Sequence, residues 1–176
     1  MNRDKFAGYT KERLLDLIEI YSKNWLATDG VWFQSVEQKS GMDEAIYHDE
    51  EAWRRFAAIE ARRLKGFLGL GDRSGLEGLK AALALRMSAN VNETVSDLKE
   101  NELICTLKVC RVQSARSRKG MPLHPCKPVG EIEFSVFAAT IDPRIKCECL
   151  SCYPEVTDPG CGCKWRFYIS EGSENA

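Results

Sequence analysis

Six of the eight cysteines lie between residues 126 and 163, as Cys126-Lys-Pro, Cys147-Glu-Cys149-Leu-Ser-Cys152-Tyr-Pro and Cys161-Gly-Cys163-Lys-Trp165. Thiolates are the soft ligands that zinc takes, four of them in a tetrahedron at roughly 2.3 Å. Cys149-x-x-Cys152 has the spacing of a knuckle that offers two sulfurs from one tight turn, and a second pair must come from elsewhere in the chain. The preferred set is Cys126, Cys149, Cys152 and Cys163, with Cys147, Cys161 and His124 as alternates and Gly162 able to bend the backbone between two thiols. The same spacing also fits a four-cysteine iron-sulfur cluster. Arg144, Lys146, Lys127 and Lys164 stand beside the cysteines, where they could offset the negative charge of four thiolates around a dication. A closed site of this kind has no open position for substrate, so its expected role is structural. Free thiols are the plain alternative.

A thiol cluster reads as metal-binding only in a reducing compartment. The first residues, Met-Asn-Arg-Asp-Lys-Phe, contain no apolar leader, and no run approaches the roughly 20 apolar residues of a membrane span. A cytoplasmic location, with no membrane partner, is the expectation. The net charge of -1 offers no field for a polyanion, so nucleic acid is a poor default partner and a small-molecule ligand a better one. The run Arg111, Arg116, Arg118 and Lys119 lacks interleaved aromatics and reads as a solvated loop. A monomer and a homodimer both fit.

Acid-base chemistry has fewer candidates. Glu60 falls in phase with an apolar helical stripe, where an ionised carboxylate needs a partner such as Arg63. Asp29, Glu37 and His48 surround the aromatic segment Val31-Trp32-Phe33, and with Glu60 they could border a pocket walled by Trp32, Trp53 and Phe56. Glu60 and Glu37 are the candidate catalytic carboxylates; Trp32, Trp53, Phe56 and His48 are the candidate pocket residues. Cys105 shares a strand face with Leu103 and Leu107 and reads as a small core hydrophobe.

The elements that must position these groups follow from periodicity. Leu14, Leu17, Ile18, Tyr21 and Trp25 predict a helix capped by Thr10 and ending near Asp29-Gly30. A second runs from near Met42 to the Gly66–Gly71 cluster, and a third from a capping box at Ser74-Gly-Leu-Glu77 towards Asn90. Alternation then predicts strands at Leu103–Cys110, Glu131–Val136 and Lys164–Ile169. Helices followed by strands imply an α+β fold, with N-terminal helices packed on an antiparallel sheet. The chain reads as a single domain, residues 1–176, with a helical part over about 8–92 and a β-rich part over about 100–170 carrying the cysteines.

Asp29-Gly-Val-Trp-Phe33, Val36-Glu37, Gly41, Ala45 and Trp53, together with Cys126, Cys149, Cys152 and the terminal Cys163-Lys-Trp-Arg-Phe167, resemble a family of small bacterial cytosolic proteins of unknown function. That family is distantly similar to the aminothiazoline carboxylate hydrolases and, more remotely, to vinyl-reductase-type ligand-binding domains. The hydrolase likeness implies ring opening of a small heterocyclic carboxylate, with Glu37 or Glu60 activating water. Three functions stand open: a zinc-stabilised ligand-binding or sensory domain; a small hydrolase; and a zinc-ribbon adaptor for protein or nucleic acid.

Overall fold

A computed structural model describes residues 3–170. Two long helices open the fold, α1 (Lys11–Ser40) and α2 (Met42–Leu68), followed by α3 (Gly75–Ala84). Strands β1 (Glu93–Leu98) and β2 (Glu102–Val109) form a hairpin, and α4 (Arg111–Arg118) and α5 (Lys127–Ile141) precede β3 (Ile145–Cys152) and β4 (Cys163–Ile169). The fold is α+β, with all pairings antiparallel in the order β1-β2-β4-β3. No helix among the described residues is long and apolar enough to cross a membrane.

The first helix is longer than its stripe suggested. It begins as expected, with the Thr10 hydroxyl accepting from the Arg13 N–H at 3.3 Å, but passes through Asp29-Gly30 to Ser40. An interior glycine costs about 1 kcal/mol, and burial of Phe33 one turn on outweighs it. The break comes at Gly41, whose φ of 92° belongs to the left-handed region, so α2 folds back along α1.

The segment expected as the strand Glu131–Val136 is instead the middle of α5. Its buried residues Val129, Phe134, Phe137, Ala138 and Ile141 form a helical stripe, and Pro128 sits in its first turn, where a missing N–H costs nothing. Six alternating residues were too few to separate the two periods. The β-rich half therefore carries two helices, since the basic loop is α4, and two strands, β1 and β3, escaped the alternation test. The third helix stops at Ala84, with a short 3-10 turn at Met87–Asn90. Its expected capping box does not form: Ser74 makes no capping bond, and the Asp142 carboxylate, from the far end of α5, accepts from the Gly75 N–H at 2.9 Å instead.

Helix α5 lies on the inner face of the sheet, α2 packs on α5, and α1 packs outside α2. The core runs through Ala57 and Ala61 of α2, Leu79 of α3, Phe137 and Ile141 of α5, and Leu103, Trp165 and Phe167 of the sheet. Gly130 sets the closest approach of helix to sheet, because a Cβ there would fall 2.6 Å from the Trp165 ring.

Candidate functional site

Where α1, α2, α5 and the sheet fail to close on one another, a cavity of about 440 Å³ remains. That is the size of a small-molecule site. One face of α1 presents Trp25, Asp29 and Phe33 at four-residue intervals, α2 answers with Asp49 and Trp53, and Glu133 and Phe134 of α5 line the cavity alongside Cys163 and Trp165 of β4. Trp25 meets Trp53 edge to face at 5.8 Å and stacks on Phe56 at 5.8 Å.

Three thiols converge at the cavity. Cys126, just before α5, Cys152, at the end of β3, and Cys163, at the start of β4, all line it, and Cys152 is near enough to the other two for each to raise its pKa. The Cys149–Cys152 pair does not form a turn, as its spacing suggested; both belong to a strand. In a regular strand residues three apart point to opposite faces. Here a bulge between Cys149 and Ser151 resets the register, so that Cys149 pairs with Trp165 and Cys152 with Cys163, both on the inner face. Cys149 does not line the cavity; burial raises it, and Glu131, Lys127 and Cys163 are among the charges acting on it. Among the described residues, no three His, Cys, Asp or Glu side chains are posed around a common point as they stand.

The cluster is electrostatically loaded. Cys126 is pushed down to about 5, chiefly by its hydrogen bond with Cys152, and burial acts against this. Cys152 is raised by its bonds to Cys126 and Cys163 and by burial. One thiolate is thus favoured at the expense of the next, as expected when like charges share a small space. Of the cations expected to offset thiolate charge, Lys127 pairs with Glu155, Lys164 with Asp158 and Arg144 with Asp142, and Lys146 is exposed. Neutral donors replace them. Gln113 gives a side-chain N–H to the Cys126 sulfur at 3.1 Å, and the Trp165 indole gives its N–H to Cys163 at 3.2 Å.

Cys147 lies on the inner face of β3, and burial pushes it up to about 12. Cys161 sits in the β3–β4 loop beside Asp158. Cys105 is buried in the core and raised to about 11 by burial.

His124 belongs to the cavity, its ring edge-on to Phe33 at 4.6 Å and in contact with Cys126. Its Nε2 is 3.4 Å from Asp49 Oδ2 but forms no hydrogen bond, although fully buried. Gln113 holds the segment in place, donating to the His124 carbonyl at 2.7 Å and accepting from its N–H at 3.0 Å. Asp29 is pushed up to about 7, first by burial and then by Asp49 and Glu133; His124 opposes this.

The carboxylates singled out from sequence serve as ion-pair partners. Glu60 is buried, but it accepts from Arg86 Nε at 2.9 Å and from the Met87 N–H at 3.0 Å, so its partner is Arg86 and not Arg63. Arg86 also reaches Glu133 at 2.7 Å and packs against Phe137, 4.7 Å from the ring centre. Glu37 takes a two-pronged bond from Arg116 at 2.8 and 2.6 Å, which holds its carboxyl below the usual range. Each carboxylate is thus held by an arginine from another part of the chain. Trp32 is half exposed, beside His48 at 5.9 Å, and His48 pairs on the surface with Glu44. Of the expected pocket residues Trp53 lines the cavity, and Phe56 supports it from behind through Trp25.

Asp49, Glu133, Arg86 and Phe134 were not singled out. Asp49 and Trp53, four apart on α2, carried a usable signal, as did Trp25, Asp29 and Phe33 on α1; Glu133 and Phe134 were hidden by the strand assignment.

These features define an α+β domain with an internal pocket bordered by thiols. The chain belongs to a family of unknown function (DUF6125), whose model matches residues 7–169. A 75-residue stretch is 32% identical to a protein named short-chain dehydrogenase/reductase SDRA from Arabidopsis thaliana, covering 43% of this chain and 30% of that protein. The chain therefore spans less than a third of that curated relative. No solved structure matches.

Proposed function

We propose that this protein is a small-ligand-binding or sensory domain whose pocket is tied together by a zinc ion on Cys126, Cys152 and Cys163, with Cys149 as the fourth ligand. The supporting observation is that thiols from three separate segments meet beside a cavity of about 440 Å³. The β3 bulge, which turns Cys149 and Cys152 to one face, supports the fourth ligand. Binding requires the Cys149 side chain to swing towards its neighbours and the other three sulfurs to draw in around the ion. A dication would relieve the mutual repulsion of the thiolates, and the indole N–H on Cys163 and the amide N–H on Cys126 suit sulfurs that carry charge. A closed four-thiolate centre is structural and leaves ligand recognition to the pocket.

Metal analysis of protein purified under reducing conditions tests it. One zinc per chain is expected, lost in Cys126→Ser and Cys152→Ser and retained in Cys147→Ser. Visible absorbance with bound iron would replace zinc by a cluster, and metal-free protein with eight titratable thiols and unchanged stability would defeat the proposal.

A further inference from the structure

Resting on the ligand-binding reading, the charges of the pocket can be followed to the class of molecule it takes. The arginines near its wall are already committed, Arg86 to Glu60 and Glu133 and Arg116 to Glu37. The basic residues Arg111, Arg118 and Lys119 at the mouth are exposed, where water and salt screen them. Asp29 has none of these cations as a partner. It lies in the middle of the α1 stripe with Trp25 one turn before it and Phe33 one turn after, facing Asp49 on α2. His124, nine-tenths buried, lines the same cavity with its Nε2 turned to Asp49 at 3.4 Å, so Asp49 has a basic partner and Asp29 does not.

We infer that the pocket takes a small organic cation, its ammonium or amidinium group bound by Asp29 with Asp49 nearby, and its apolar body against Trp25, Trp53 and Phe33. An anionic ligand would face the Asp29 carboxylate, and the buried base of the pocket, His124, is already held 3.4 Å from Asp49 Oδ2 and so is not a free counter-charge. A neutral one would leave Asp29 to choose between burial as an ion and protonation; its upward displacement to about 7 expresses that conflict. A cation resolves it by ion pairing at low dielectric, and the indole and phenyl faces add cation-π attraction.

The test is calorimetric titration of the 176-residue chain with three isosteric probes: benzylamine, benzyl alcohol and benzoate. Benzylamine is expected to bind at least about tenfold tighter than the alcohol, benzoate weakest, and Asp29→Asn is expected to remove the preference for the amine while retaining binding of the alcohol. His48→Ala, on the outer surface, should leave all three unchanged. Equal or tighter binding of the alcohol or benzoate, or an undiminished preference in Asp29→Asn, overturns the cation assignment and leaves a ligand-binding pocket. No saturable binding of any probe overturns both readings.

Discussion

Glu60 and Asp29 are carboxylates on neighbouring helices, both directed inward, and they have opposite fates. Glu60 is 7% exposed and satisfied twice over, by the Arg86 guanidinium and the Met87 N–H. Asp29 faces a cavity in the company of Asp49 and Glu133 and is pushed up to about 7. A buried charge with its partners in place is one whose partner the fold cannot lose without a large penalty, whereas a charge left without a partner beside an empty volume marks a candidate binding site. The cysteines divide in the same way: Cys105 and Cys147 are packed as hydrophobes, while Cys126, Cys152 and Cys163 reach the cavity wall, where Cys126 and Cys163 both raise Cys152.

Removing a partner from the satisfied site gives the largest effect. Glu60→Ala leaves Arg86 buried with Glu133 alone, and a loss of about 3–5 kcal/mol is expected in urea unfolding; a loss under about 1 kcal/mol would show that Glu60 and Asp29 do not differ in kind. The reverse sign is expected at Asp29. Its folded pKa near 7 lies above the unfolded value of 3.8, so between these the native state binds more protons, and stability falls as pH rises from about 4 to about 7. Asp29→Asn abolishes that slope and stabilises the ligand-free protein at pH 8 by about 2–4 kcal/mol, with no gain below pH 4. A pH-independent difference between the two proteins, measured by urea midpoints across this range, would place Asp29 with Glu60.

Gly130→Ala is smaller in chemistry but sits in the wall between core and cavity. The added methyl would collide with the Trp165 ring at 2.6 Å, and a loss of about 1–3 kcal/mol in thermal or chemical unfolding is expected. It would also disturb the indole bond to Cys163. The smallest effects belong to the surface pair His48 and Trp32, where alanine should change stability by less than about 0.5 kcal/mol. A loss of several kcal/mol at either would mean that the outer face of the α1–α2 hairpin is covered in solution.

The N-terminal helices, the class of the fold and strands β2 and β4 were legible because each rests on a long or clean apolar period. Residue type and crowding also drew attention to Cys126, Cys152 and Cys163, which the fold brings to the cavity wall. The pairing of Glu60 with Arg86, of Glu37 with Arg116 and of Gly75 with Asp142 was not legible, because each joins residues at least 26 positions apart and no local rule selects one arginine or aspartate over another. The α5 segment was misread because Glu131–Val136 satisfies both a two-residue and a helical repeat, and burial against the sheet chooses between them.

What residue order alone determined is therefore the set of reactive groups and the face of each long helix that must be hidden. The tertiary structure decided which of those groups are neutralised by one another and which are left facing a cavity. The physical reason is range: hydrophobic periodicity is written within a few turns of chain, but the energy of a buried charge depends on whatever distant residue the packing brings within a few ångströms of it.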